Sequence, residues 1–413
     1  MGKRANGEGS IFPYRDGWAG YVWVTTPDGR QTRKWAYGKT REETHEKWLK
    51  LHELARKGPV PTTHPTLAAY LTRWLAEVIK PNREPTTYVA YEPLVRLYII
   101  PGLGKKRLDK LTVREVQTWL NSLTTLCTCC AQKKDHKRTE PKRRCCAIGK
   151  CCNSRLSRGT IAGIRRVLRS ALTHALREEL ISKNVAALAT LPSARTKTPQ
   201  RQRVTWTVDE ARRFLEHVRE ADDPLYAAYV LILVLGLRRG EVLGLTWDCV
   251  DLSGAQLWIS HQLTRVGGQL LHRERTKTEN STASLPLPAL CVAALRHRRR
   301  VQEEARKEAG ERWQESNLVF TTKTGTPIEP RNFNRAFEAH CRRAGVSRIR
   351  VHDTRHTCAS LLAALDIHPR VAMRILRHTR ISMTMDVYTQ IPSSEARKAL
   401  DRLNRSLDHP GQP

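Results

Sequence analysis

Acidic residues are scarce in this chain. Asp and Glu number 40 against 72 Lys and Arg, a formal net charge of +32 over 413 residues. A globular chain so one-sided repels itself, and an anionic partner is the simplest explanation. Long apolar runs are also missing. No stretch reaches the roughly 18 residues that a membrane span needs. The nearest, Leu225–Leu237, is ended by Arg238 and Arg239 and reads as a buried helix. Nucleic acid is therefore a better partner than a membrane. The opening MGKRANGEGS lacks the apolar segment of a secretory leader, and Asn6 stands where a myristoylation signal wants Ser or Thr. The expected setting is the cytoplasm, in association with the nucleoid, where the 11 cysteines are not expected to form structural disulfides. Hydrophobic residues are not lacking. At 40% they suffice for real cores, and the length allows two or three domains with no internal repeat.

Residues 1–58 read as a small β unit followed by a helix. Asp16-Gly17 and Asp28-Gly29 are hairpin signals that divide strands near 11–14, 19–25 and 31–36. The following helix has Thr40 as N-cap, Glu43 three residues on and Gly58 at its end. Basic residues outnumber acidic ones here, and exposed Trp, Tyr and Arg on so small a sheet suit DNA contact. A Pro/Thr linker leads to residues 66–192, which read as helices. Leu67, Leu71, Trp74, Leu75 and Val78 keep a helical period, and Thr112 with Glu115 begins another helix. Ser157–Glu179 is a long basic helix. Its apolar stripe can dock on a core while Arg165, Arg166, Arg169 and Arg177 face phosphate. A second basic linker, 193–204, precedes a third unit at 205–413. The expected fold is multidomain and mainly α with small β elements: a three-stranded sheet plus helix, a helical domain, and a mixed α+β domain.

Residues 127–152, CTCCAQKKDHKRTEPKRRCCAIGKCC, form an insert holding Cys127, Cys129, Cys130, Cys145, Cys146, Cys151 and Cys152, together with His136. Thiolates this crowded repel unless they are protonated, oxidised or metal-bound. A tetrahedral Zn²⁺ would take four ligands and fold a loop too polar to fold alone. The spacing differs from a CxxC…CxxC ribbon, so a reduced basic loop is the competing reading and the ligand subset stays open. Cys249, Cys291, Cys341 and Cys358 lie in apolar contexts and are expected in cores.

The chemistry-bearing residues come in order along the third unit: Arg238 in GLRRGE, His352 and Arg355 in HDTRH, then His378 and Tyr388 in LRHTRISMTMDVYTQ. Breaking a DNA phosphodiester without a metal needs a nucleophile, cations on the non-bridging oxygens, a base, and an acid for the leaving 5′-oxygen. Arginine's planar fork donates to two oxygens and stays charged. A tyrosine gives a covalent phosphotyrosine that stores the bond energy, so resealing needs no ATP. Glu241, one turn beyond Arg238, can orient it. His352 and Arg355 are three apart on an expected helix and so share a face. The segment between reads as three strands, with Gly267-Gly268 at the first turn and Lys277 in the second, within reach of a leaving oxygen. His352 and His356 are spaced like a metal pair, but no Glu joins them in a zincin pattern, and Arg355 between them disfavours a cation. RHRRR at 296–300 reads equally as a backbone-tracking or a solvated segment.

GLRRGEVLGLTW, the TKT turn before SLPLP, HDTRHTCASLL and LRHTRISMTMDVYTQ together resemble the tyrosine recombinase, or phage integrase, family. Residues 1–58 are similar to its arm-type DNA-binding domain, and 66–192 to its core-binding domain. The cysteine insert resembles one seen in integrases of actinobacterial mobile elements. The resemblance implies that Tyr388 is the nucleophile and that Arg238, Arg355 and His378 hold the phosphate. It makes Lys277 the general acid and His352 a helper in proton transfer. It also implies strand exchange without a catalytic cofactor by a homotetramer on arm-type and core-type sites of double-stranded DNA, with an excisionase and a host DNA-bending protein as helpers. One departure stands out. The family usually has Gly before the second histidine, and here it is Arg377. At positive φ an arginine costs about 1–2 kcal/mol; in a regular turn it would be an extra phosphate contact. Past Tyr388, Ala396, Leu400, Leu403 and Leu407 line one face of an expected helix, to be docked on a neighbouring protomer.

The function expected is a site-specific integrase that inserts and excises a mobile element. A resolvase of the same chemistry is a second reading, disfavoured by the amino-terminal β unit. A non-catalytic DNA-binding regulator on a recombinase scaffold is a third, disfavoured by the intact set of chemical groups.

Overall fold

The computed structural model describes residues 11–26, 29–58, 65–192, 204–274 and 283–377, with Ile381 and Met385. The chain divides into two compact units, Met1–Lys197 and Thr198–Pro413.

The first unit begins with an antiparallel meander, β1 (Ile11–Tyr14), β2 (Gly17–Thr25) and β3 (Gln31–Gly38), followed by α1 (Arg41–Lys57). Thr40 caps α1, its side chain accepting from the Glu43 N–H. Alternation along β2 explains the packing. Val22 and Val24 point to one face and are buried with Ala36, Trp48 and Leu51. Trp23 and Thr25 point the other way, as period-two geometry requires.

Helices follow. Leu67–Arg73 runs on into wider turns over Trp74–Ile79, and Val113–Ser122 opens with a capping box from Thr112 and Glu115. Arg158–Arg177, capped by Ser157, buries Ile161, Ile164, Leu168 and Leu172. These helices share one core with Leu67, Leu71 and Trp74. Arg166, Arg169 and Arg177 are exposed as expected. Arg165 is not a free phosphate contact, because its guanidinium donates to the carbonyls of Ala186 and Ala187, both at 3.1 Å.

The second unit packs Val208–Glu220, Tyr226–Val234, Ala289–Ala309 and Pro330–Arg343 around a single core with Trp206, Phe214, Tyr229, Phe333 and Phe337 at its centre. The strand region differs from the expected three in a row. His261–Val266 and Gln269–Glu274 form a hairpin turned by Gly267-Gly268. Ala283–Pro286 pairs instead with Gln256–Ile259, which also pairs with Val250–Asp251. The chain is regular enough to look like one strand from Gln256 to Val266, but it switches sheets at Ser260. Turn signals do not reveal such a break, because partner choice is a tertiary matter.

RHRRR is also settled in part. Arg298 is 4% exposed and donates to the carbonyl of Val319 at 2.9 Å, so it braces the core and cannot track a partner's backbone. Burial pulls its guanidinium down to about 10. Cys291, Cys341 and Cys358 are buried as expected, and Cys249 is half-buried.

Candidate active site

Of the expected residues, Arg238, His352 and Arg355 are described, and all three line one cleft of the second unit. Lys277, His378 and Tyr388 lie outside the described residues, as do the expected helix at 396–407 and the basic segment 193–203.

The cleft is anchored by the end of an apolar helix. Tyr226–Val234 stops where Gly236 takes φ 59°. A Cβ there would lie 2.6 Å from Leu376 Cδ2 and 3.4 Å from Cys358 Sγ, so only glycine fits both the space and the dihedral. The turn presents the Gly236 carbonyl to Arg355 Nη1 at 2.6 Å. One turn along, Cys358 donates to the Val234 carbonyl at 3.4 Å. Arg355 thus sits at the negative end of that helix, which favours a cation. It is 5% exposed. Burial, then the charges of Arg238 and Arg377, pull its guanidinium down to about 9, and it still carries its proton at neutral pH.

Glu241 is the second anchor and is 2% exposed. Its carboxylate accepts from Arg238 Nη1 and from the Arg238 N–H, both at 2.9 Å. It also accepts from Arg377 Nη2 at 2.8 Å. Burial opposes its ionisation, but the charge of Arg377 and the bonds from Arg238 prevail and hold the carboxyl at about 2. One carboxylate therefore ties together two segments far apart in sequence, one of them ending beside His378. A second glycine permits the arrangement. A Cβ on Gly244 would stand 2.6 Å from the Leu263 nitrogen, so the short helix Arg239–Leu243 can lie close against the hairpin only with glycine there.

Arg377 resolves the departure noted in the sequence. It adopts φ 52°, ψ 49° after Pro369–Leu376, the left-handed conformation that glycine would take at a helix end. The strain is offset by the buried pair with Glu241.

His352 and Arg355 do not share one helix. His352 lies in a 3-10 turn, Val351–Asp353, and Arg355 in the helix Thr354–Ala364 that follows. The effect is to leave His352 exposed while Arg355 is buried. Desolvation by the cleft, then Arg355, Arg350 and Arg238, lower the imidazole's affinity for a proton against the pull of Asp353. A neutral imidazole at working pH can accept a proton.

Four cationic or polar positions were not singled out by sequence. Arg239 donates to Asn334 at 3.0 Å, and Arg265 to Glu329 at 2.6 Å. Arg350 is held by Asp353 through bonds of 2.8 and 2.9 Å. Gln262 lines the cleft beside them. Arg239, next to Arg238 in GLRRGE, and Arg350, two residues before HDTRH, carried a signal by position.

Known proteins point the same way. The Phage integrase family matches residues 205–395, and the Phage integrase, N-terminal SAM-like domain matches residues 66–124, together more than half of the chain. A tyrosine recombinase XerC-like protein of Caldanaerobacter subterraneus subsp. tengcongensis is 26% identical over 392 residues, covering 91% of this chain and 93% of the relative. An integrase of Streptomyces ambofaciens is 26% identical over 387 residues, covering 89% and 88%. Among solved structures, the Tn1549 transposon integrase in complex with transposon right end DNA superposes with a TM-score of 0.61 at 22% identity, covering 82% of this chain and 99% of that one, a likeness of fold. With the two arginines, the histidine and the buried carboxylate in one cleft, the chain belongs to the phage integrase family of tyrosine recombinases, and it is a site-specific recombinase.

Proposed function

We propose that the enzyme cuts and rejoins double-stranded DNA through a 3′-phosphotyrosine on Tyr388, integrating and excising a mobile element. The observation that carries this reading is the pair Arg238 and Arg355, held on separate buried acceptors in one cleft with His352 at its mouth. Both guanidiniums are oriented before substrate arrives, which is what stabilising charge on the non-bridging oxygens requires. His352 moves the proton between the attacking tyrosine and solvent. His378 shares the phosphate, and Lys277 protonates the leaving 5′-oxygen. Glu241 is a positioning residue: through Arg377 it fixes the segment leading to His378.

Two surfaces extend the proposal. On the meander, Trp23, Trp35 and Tyr37 are exposed on one face, and the Arg33 guanidinium stacks on Tyr21 and Trp23 at 4.9 and 4.8 Å. This face contacts arm-type DNA, while the helical segment carrying Arg166 and Arg169 contacts the core site. In the second unit Leu215, Leu233, Leu290, Leu361 and Leu365 line an apolar groove. The groove takes the Ala396–Leu407 face of a neighbouring protomer and so closes a tetramer. An excisionase and a host DNA-bending protein would set the direction.

The test uses a nicked core-site duplex that traps the covalent intermediate. Wild type should give a protein–DNA adduct stable to denaturant, and Tyr388→Phe should bind the same duplex and give none. An adduct persisting in Tyr388→Phe would overturn the assignment. Integration of a non-replicating plasmid carrying the gene with its flanking DNA then separates an integrase, giving one chromosomal junction, from a resolvase, giving none.

A further inference from the structure

The recombinase reading makes no use of the insert at 127–152, whose residues are all described. Its interior is unlike the other cores of the molecule. Cys127, Cys129 and Cys145 are buried and packed only with Cys130 and Cys146, and Ile148 faces solvent. Sulfur alone cannot hold such a loop by burial, since small thiols remove little apolar area from water.

The loop is nonetheless ordered around one acid. Asp135 is fully buried and accepts from the N–H groups of Arg144, Cys145 and Ala147 at 3.1, 2.8 and 3.1 Å, and from Arg138 Nη1 at 2.8 Å. Those bonds fix the backbone that presents Cys145. Around it the sulfurs converge. Cys127, Cys130, Cys145 and Cys151 lie within 4.8 Å of one another, with Cys130 at 3.4 Å from Cys145 and 3.9 Å from Cys151. None is in a disulfide. Sulfurs around a tetrahedral Zn²⁺, each about 2.3 Å from the ion, are about 3.8 Å apart. Backbone N–H groups already point at two of them. Cys152 N–H donates to Cys145 Sγ at 3.2 Å, and Asn153 N–H to Cys151 Sγ at 3.4 Å. Such bonds favour the thiolate form that a metal binds. A tetrathiolate zinc centre carries a net negative charge. The segment that would carry it is itself basic, with eight Lys and Arg against two acidic residues over 127–152.

We propose that Cys127, Cys130, Cys145 and Cys151 bind one structural Zn²⁺ that folds this insert. Cys129 and Cys146 form a second group only by sharing Cys145, and although His136 Nδ1 is 3.7 Å from Cys146 Sγ it does not join that group, which keeps three sulfurs. Cys152 lies 3.8 Å from Cys127, but its N–H serves Cys145. The inference is independent of the catalytic reading.

The test takes the purified full chain. Native mass spectrometry should find one zinc per chain, and X-ray absorption should count four sulfurs at about 2.3 Å. Cys145→Ser and Cys151→Ser should lose the ion, while Cys146→Ser and Cys152→Ser keep it. Because a ligand variant could unfold the insert, the wild-type sulfur count stands as a separate measurement. A metal-free chain, intramolecular disulfides, fewer than four sulfurs, two zincs, or retention in Cys151→Ser with loss in Cys152→Ser would each overturn the assignment.

Discussion

Two regions of this molecule hold arginines that the proposed function assigns to phosphate, and they hold them differently. On the meander, Arg33 is exposed and lies over aromatic rings. In the cleft, Arg355 is buried against a helix-end carbonyl, and Arg238 and Arg377 share the buried Glu241. A surface cation over a ring costs little to hold and can be replaced at little loss. A buried cation is expensive unless every partner is in place, and its removal strands those partners. Under the proposed function, the difference separates binding from catalysis. Affinity accumulates from many loosely held charges, whereas charge stabilisation at a reacting phosphate needs a few that are fixed beforehand.

The sharpest way to break this comparison is to remove the shared acid. Glu241→Gln should deprive Arg238 and Arg377 of their shared carboxylate and cost about 3–5 kcal/mol, the usual loss on breaking a buried pair, read as a lowered urea midpoint of the transition that includes the second unit. An unchanged midpoint would mean that the cluster does not brace the cleft. The same carboxylate sets a pH dependence. Its folded value, about 2, lies below the roughly 4.3 of an unfolded Glu. Its contribution is therefore complete above about pH 4.3 and is lost as pH falls from there toward 2. In acid titrations Glu241→Gln should show a flatter fall in stability across that window than wild type.

Next in size is Arg355→Gln. Covalent-complex formation at saturating DNA should slow by ~10²–10³-fold, as when one preorganised donor is removed elsewhere, with DNA affinity nearly unchanged. Equal losses in both would place Arg355 in binding alone. Gly236→Ala should be milder for stability, about 1–2 kcal/mol for the positive φ plus whatever Leu376 must yield, and thermal melting would detect it. The smallest effect belongs to the meander. Arg33→Ala should leave the melting temperature unchanged and lower the salt slope of arm-site binding by ~0.9, because one fewer phosphate is neutralised. An unchanged slope would remove Arg33 from the DNA face.

Much of this was legible in the chain itself. The strands at 11–14 and 31–36, the caps Thr40 and Thr112, and the apolar stripe Ile161, Ile164, Leu168 and Leu172 all follow from local rules, because a cap or a helical face is decided within a few residues. The spaced motifs around Arg238, His352 and Arg355 likewise pointed to residues that the fold gathers in one cleft. What local rules could not supply were partners far apart in sequence. Arg165 and Arg298 look like every other surface arginine, and only the packed structure assigns them to carbonyls. The strand at Ala283–Pro286 could not announce that it pairs with Gln256–Ile259.

Sequence by itself determined the basic character, the order of the chemical groups and the crowding of seven cysteines into one insert, since composition and spacing are properties of the chain. Tertiary structure alone decided that Glu241 joins Arg238 to Arg377, that Arg377 takes a glycine's conformation, and that Cys127, Cys130, Cys145 and Cys151 converge while Cys129 and Cys146 do not complete a set. Each of these depends on which residues meet after the chain has folded back on itself, and distance along a sequence does not encode distance in space.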